Sequence, residues 1–149
     1  IDDFCVLSAG ENGIDIGSYV HVAVGSILIG AGKITLSDFT NISSRVSIYS
    51  SNDDYIGGAL TGPMVSDEYK DVTHLPVFLG RHVIVGSGSV ILPGVRLEDG
   101  VAIGALSLVK KNCEAFGIYA GNPVRYIKER SKKVLESEGQ FIFSLKQVD

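Results

Sequence analysis

Tryptophan is absent from the 149 residues, methionine occurs once, cysteine twice and proline four times. Aromatic residues make up only 8% of the chain, and the formal net charge of −4 is mild. There is no basic run and no aromatic platform on which bases could stack, so nucleic acid is set aside as a partner. No apolar run approaches the ~20 residues that cross a bilayer, so no membrane span is expected. Cys5 and Cys113 lie far apart in the sequence and are read as reduced core thiols, which fits a cytoplasmic setting. Against these scarcities stand 18 glycines and a hydrophobic content of 45%. Many Val and Ile residues with much Gly and little Pro suit short strands joined by tight corners.

The clearest pattern runs from Leu79 to Val109. Aliphatic residues return there every six positions, at Leu79, Val85, Ile91, Leu97, Ile103 and Val109. Four places after each of the first five sits a small or β-branched residue: Val83, Ser89, Val95, Val101 and Ser107. A period of six suits neither a helix nor a simple strand. It suits a coil that turns a corner every six residues and points one aliphatic side chain inward per face, the hexapeptide β-helix. Stacked coils lie ~4.8 Å apart, and several are needed before the shared core is stable.

Residues 1–48 carry a looser version, with Phe4, Ile16, Val22 and Leu28 in one inward frame. The frame slips by two near Gly30-Ala31-Gly32, which reads as a bulged corner, and resumes at Leu36, Ile42 and Ile48. Residues 49–76 break the period and read as a long protruding loop. The expected organisation is a β-helix domain over 1–112, interrupted by that loop, and an extension over 113–149. The spacing of Val124, Ile127, Val134 and Leu135 predicts a helix over 124–137 that caps the open end of the prism. Pro123 opens that helix, Gly139 ends it, and a short apolar tail follows.

With its repeat, its loop and its Ala120-Gly121-Asn122-Pro123-Val124-Arg125 segment, the chain resembles the hexapeptide-repeat acyltransferases. Within that family it looks most like the sugar acetyltransferases of surface-polysaccharide and nucleotide-sugar pathways, lipopolysaccharide biosynthesis among them. The resemblance implies an all-β fold: a left-handed parallel β-helix of triangular section with a protruding loop and a short C-terminal α-helix. It implies a cytoplasmic homotrimer with a site in each cleft between neighbours, acetyl-CoA as the donor and no metal. The acceptor would be a hydroxyl or amino group on a sugar or nucleotide-linked sugar.

Direct acyl transfer needs a groove for the thioester, a donor for the oxyanion, a base and a positioned acceptor. Gly86, Ser87, Gly104 and Ala105 are small corner residues where backbone N–H groups can approach a ligand. By resemblance they contact the donor's pantetheine arm, while Lys110, Lys111, Arg125 and Lys128 suit its phosphates. Tyr49, Asn52 and Tyr55 can stack on and hydrogen-bond a sugar, and Arg45 can pair with a loop carboxylate or a substrate phosphate. Related enzymes carry a catalytic His at the start of the loop, where this chain has Ser51-Asn52-Asp53-Asp54-Tyr55. The candidates for the base are therefore Asp53 or Asp54 with a raised pKa, His74, or His21. An amine acceptor needs no strong base, so the missing His leans towards N-acetylation. His82 is read as a surface corner. Two other readings stand beside this one: a γ-type carbonic-anhydrase-like zinc enzyme, which would use three histidines, and a non-catalytic β-helix scaffold.

Overall fold

The computed structural model describes residues 1–147; the last two positions of the 113–149 extension lie outside the described residues. Short parallel strands stack into three flat faces. The first face holds Val6–Ala9, Ile27–Gly30, Ser47–Tyr49, Val90–Ile91 and Leu108–Val109. The second holds Ile14–Ile16, Ile34–Leu36, Val77–Leu79 and Arg96–Leu97. The third holds His21–Val22, Asn41–Ile42, Ile84–Val85, Ala102–Ile103 and Gly117–Ala120. The chain visits the faces in that order. The first corner joins the first face to the second, the second corner joins the second to the third, and the third corner leads back to the first.

The six-residue aliphatic row fills the interior. Leu79, Val85, Ile91, Leu97 and Val109 are fully buried, and Ile103 is 3% exposed. The row continues through Val22, Leu28, Ile34, Leu36, Ile42 and Ile48. Each such side chain contributes about 1.5–3 kcal/mol by leaving water. Ladder partners on the third face are 18 residues apart at Ile84 and Ala102 but 20 apart at His21 and Asn41. The two extra residues sit at the first corner around Gly30-Ala31-Gly32, where the slip was expected. The long loop leaves from the same corner one coil later, between Tyr49 and Val77.

The corners have a rule of their own. Three places after the inward aliphatic, the backbone takes a left-handed φ, at Tyr19, Phe39, Arg45, His82 and Leu106 as well as at Gly25, Gly88, Gly94 and Gly100. A non-glycine residue there costs about 1–2 kcal/mol. The glycine directly after the aliphatic has a different role. A Cβ on Gly86 would stand 2.4 Å from the Ala105 nitrogen, so the next coil leaves it no room. Phe4 belongs to the corner row, with φ 60° and 87% exposure, and does not point inward as its place in the repeat suggested.

The tail also departs from expectation. Residues Arg125–Glu129 form a strand, antiparallel to Gly117–Ala120, and the helix runs over Lys133–Leu145. The last coil would otherwise present an unpaired sheet edge, and the returning strand satisfies it. Val124 and Ile127 are thus spaced by a turn and a strand, not by helix periodicity. Gly139 and Phe141 lie inside the helix. The helix rests against the second corner rather than over the prism's end: Phe141 meets the rings of Tyr19 and Phe39 edge-on.

Candidate active site

The third corner gathers the four small residues expected on the donor side, Gly86, Ser87, Gly104 and Ala105. A cavity of about 450 Å³ is lined by Ser44, Arg45, Ser87, Gly88, Ala105 and Leu106. Gly86 and Gly104 flank it, but their amides are committed to the coil ladder, donating to the carbonyls of Ile103 and Tyr119 at 2.8 Å each. One residue further on the situation changes. Among the described residues, the amides of Ser44, Ser87 and Ala105 find no acceptor. They stand one per coil along the edge of the cavity. At the equivalent place in the second corner, the Ser18 and Arg81 amides donate to the carboxylates of Asp38 and Asp99 from the following coil, at 2.7 and 2.8 Å. From Ser44 onward the third corner carries Ser, Ser and Ala there and no acid, after Asp3 and Val24 in the first two coils, so these three amides remain open for a ligand oxygen.

Of the four basic candidates, Lys110 and Lys111 are exposed just past the last strand of the first face. Arg125 and Lys128 are exposed on the returning strand beside the third face. Val124 donates its N–H to the Leu108 carbonyl at 3.0 Å, which seats the start of that strand next to the third corner. Arg125 thus begins close to the third-corner cavity. Lys128, opposite Ile118, lies further along the third face.

The loop gathers three of the four residues expected on the acceptor side; the fourth, Arg45, lines the third-corner cavity instead. Tyr49, Asn52, Asp53 and Tyr55 line one cavity of about 430 Å³, together with Ser51, Val90 and Leu92. Asp53 is exposed. Asp54 behaves differently. Its carboxylate accepts the N–H groups of Ile56 at 2.7 Å, Gly58 at 2.5 Å and Ala59 at 2.9 Å. Those bonds, that from Ile56 foremost, lower its pKa from the usual 3.8. The raised pKa expected of a base is therefore not found at Asp54, which holds a turn of the loop.

The three histidines fall in three places. His74 is exposed on the short strand Thr73–His74, which pairs antiparallel with Ser51–Asn52 at the loop's base. His21 opens the third face with its ring nitrogens 3.2 Å from Asn41 Oδ1 and 3.1 Å from Asp2 Oδ2, apart from the loop. His82 is no surface corner. It is 6% exposed, stacked on Phe39 with centroids 5.0 Å apart, and 2.7 Å from the Glu138 carboxylate of the C-terminal helix. A partner 56 residues away covers it. Three histidines so dispersed make no ligand set. Among the described residues, no three His, Cys, Asp or Glu side chains gather where a metal ion would sit. Both cysteines are free thiols, and Cys113 is buried, which pushes its thiol up to about 11.

Sequence reasoning passed over Ser44, Ser51, Gly88 and Leu106. The signal that would have singled out the third corner is the residue two places after each inward aliphatic. It is charged or capped in the second corner (Ser18, Asp38, Arg81, Asp99), and in the third it is small and uncapped from the third coil on (Ser44, Ser87, Ala105).

No family model matches the chain. The dTDP-4-amino-4,6-dideoxy-D-glucose acyltransferase of Escherichia coli is 58% identical over 141 residues, spanning 95% of this chain and 73% of its own. AntD, an N-acyltransferase from Bacillus cereus solved with dTDP and 3-hydroxybutyryl-CoA, superposes with a TM-score of 0.93 at 44% identity, over 97% of this chain and 76% of that one. AntD has also been solved with dTDP-4-amino-4,6-dideoxyglucose and coenzyme A together, in a form with one serine replaced. In another form, an aspartate ten positions after that serine is replaced. A maltose O-acetyltransferase from Clostridium difficile 630 shares the fold with a TM-score of 0.70 at 26% identity, over 86% of this chain and 66% of that one. These are acyltransferases, and they do not favour the zinc-enzyme or scaffold alternatives. The chain belongs to the left-handed β-helix, hexapeptide-repeat acyltransferases, and it is an acyl-CoA-dependent enzyme that transfers its acyl group to a sugar.

Proposed function

We propose that the acceptor is the amino group of a 4-amino-4,6-dideoxyhexose carried on a nucleoside diphosphate, dTDP in the first instance, and that the product is the N-acetyl sugar nucleotide. The similarity to the Escherichia coli enzyme over 95% of this chain carries this reading. The missing histidine at the start of the loop supports it, because an amine attacks without the strong base that a hydroxyl needs.

The donor enters along the third corner. The thioester supplies an activated acyl group. The open amides of Ser87 and Ala105 meet its carbonyl oxygen and hold the charge that gathers there as the amine adds. Arg125, Lys110, Lys111 and Lys128 receive the donor's phosphates. Tyr49, Asn52 and Tyr55 seat the sugar, and Arg45 reaches a phosphate oxygen of the acceptor. Asp53, in the same cavity as the sugar, accepts the proton that the ammonium form sheds before the free amine attacks. The carbon–sulfur bond breaks, and the thiolate takes up the second amine proton as the amide forms. His74 stands beside this cavity. Asp54 shapes the loop around it, and His21, paired on the third face, stays outside.

The serine and aspartate replaced in AntD are ten residues apart. Ser43 with Asp53 and Ser44 with Asp54 share that spacing, as does Ser89 with Asp99. Ser89 is fully buried and donates to the Gly104 carbonyl at 3.0 Å, which leaves the first two pairs. Both belong to the donor corner and the loop.

The assembly is a homotrimer. Ile27, Ile29, Val90, Leu92 and Leu108 give the first face an apolar outer surface, with its residues only half-buried in one chain. Packing through that face would set the loop of one copy against the third corner of the next and join the two half-sites. The compartment is the cytoplasm, in keeping with two free thiols, and the product serves surface-polysaccharide synthesis. No helix among the described residues is long and apolar enough to cross a membrane.

Calorimetric titration with acetyl-CoA is the first test, with micromolar binding at about one CoA per chain expected. Incubation with dTDP-4-amino-4,6-dideoxyglucose then yields a product heavier by one acetyl group and stable to hydroxylamine. No binding at millimolar acetyl-CoA overturns the donor assignment, and a hydroxylamine-labile ester overturns N-transfer.

A further inference from the structure

Ser51 and His74 face each other across the short antiparallel pair at the base of the loop. The Ser51 hydroxyl oxygen accepts the Ala31 backbone N–H at 2.8 Å and lies 2.7 Å from His74 Nδ1. A hydroxyl has one proton and two acceptor positions. If Nδ1–H donated to Ser51, the hydroxyl proton would have no acceptor among the described residues and would be left to solvent. If the hydroxyl donates to a bare Nδ1, the amide, the hydroxyl and the ring nitrogen are all matched. The imidazole proton then sits on Nε2, on an exposed ring.

We propose that Ser51 is a positioning residue that fixes His74 as the Nε2–H tautomer, so that His74 meets the sugar nucleotide as a hydrogen-bond donor to one of its oxygens and not as the base. This rests on the reading that the loop holds the acceptor. It accords with an amine nucleophile, which needs no imidazole base, and with the anionic oxygens of a diphosphate, which need donors. The second-strand partner is the device: the carbonyl or carboxylate that commonly sets a histidine's tautomer from Nδ1 is replaced here by a hydroxyl of the opposite sense.

Two readouts test it on the full chain. Imidazole ¹H–¹⁵N correlation spectra should show Nε2–H in the parent and in Ser51→Thr, and a mixture of tautomers in Ser51→Ala. In steady-state kinetics with the sugar nucleotide, His74→Gln keeps a side-chain N–H but no basic nitrogen. It should hold kcat/KM within about fivefold of the parent, while His74→Ala loses about tenfold or more, the effect of one hydrogen bond to a charged group. An Nδ1–H spectrum, or a Gln variant as impaired as the Ala variant, overturns the proposal. Full activity in His74→Ala would remove His74 from the acceptor site altogether, a failure of the underlying reading that the spectra would leave untouched.

Discussion

At the second corner the left-handed positions are Tyr19, Phe39, His82, Gly100 and Phe116; at the third they are Phe4, Gly25, Arg45, Gly88 and Leu106. The backbone turn is the same, and what covers it differs. At the second corner Tyr19 stacks on Phe39 at 4.9 Å and Phe39 on His82 at 5.0 Å. The helix closes over them through Phe141 and Glu138, and Arg130 donates to the carbonyls of His82 and Gly100 at 2.7 and 3.0 Å. Contacts there offset the strain of four bulky left-handed residues. At the third corner Phe4 and Leu106 are 87% and 78% exposed, Arg45 is exposed, and the amides beside them are open. Strain that no contact within the chain offsets is a mark of a surface kept for something else.

The strongest way to break the comparison is to close the open amides. Pro93 occupies, at the first corner, the position that Ser87 and Ala105 occupy at the third, so the turn accepts proline there. Ser87→Pro and Ala105→Pro should keep the fold by circular dichroism. The one whose amide faces the thioester should lose about a hundredfold or more in kcat. At the covered corner, His82→Ala takes away the stack on Phe39 and one of the two partners of Glu138, the other being Arg81. It should lower stability by about 2–4 kcal/mol in urea unfolding and leave CoA binding intact.

A matched pair of glycine substitutions sharpens the contrast. Phe39→Gly relieves the left-handed φ but removes the stack, for a net loss of about 1–2 kcal/mol. Leu106→Gly relieves the same strain where little contact is lost, and should gain about 0.5–1 kcal/mol. The smallest effect is local to the loop. Because the folded pKa of Asp54 is lowered, its turn is held in full above pH 3.8 and released as pH falls through the folded value. Asp54→Asn should speed hydrogen exchange at Ile56, Gly58 and Ala59, remove that acid dependence, and leave the global melting temperature unchanged.

The interior was readable because a six-residue aliphatic period has one structural meaning, and every member from Leu79 to Val109 points inward. The loop and its cavity followed from the break in that period, which put Tyr49, Asn52, Asp53 and Tyr55 together. The corners were not readable in the same way. A side chain does not declare its φ, so Phe4 looked like core and His82 like surface. The tail was misread because Val124 and Ile127 fit a helix as well as a turn followed by a strand. Only the sheet edge at Gly117–Ala120 decides between them, and that edge exists only once the coils are stacked.

The long loop departs and returns at one point: Leu75 donates its N–H to the Ser50 carbonyl at 3.0 Å. The coils on either side stack as though it were absent, Asn41 against Ile84 and Ser47 against Val90. A segment inserted this way is a cassette. With the acceptor seated in the loop as proposed, exchanging it whole between Ser50 and Leu75 would carry a new acceptor preference into an unaltered scaffold, and acceptor choice could be inherited apart from donor choice.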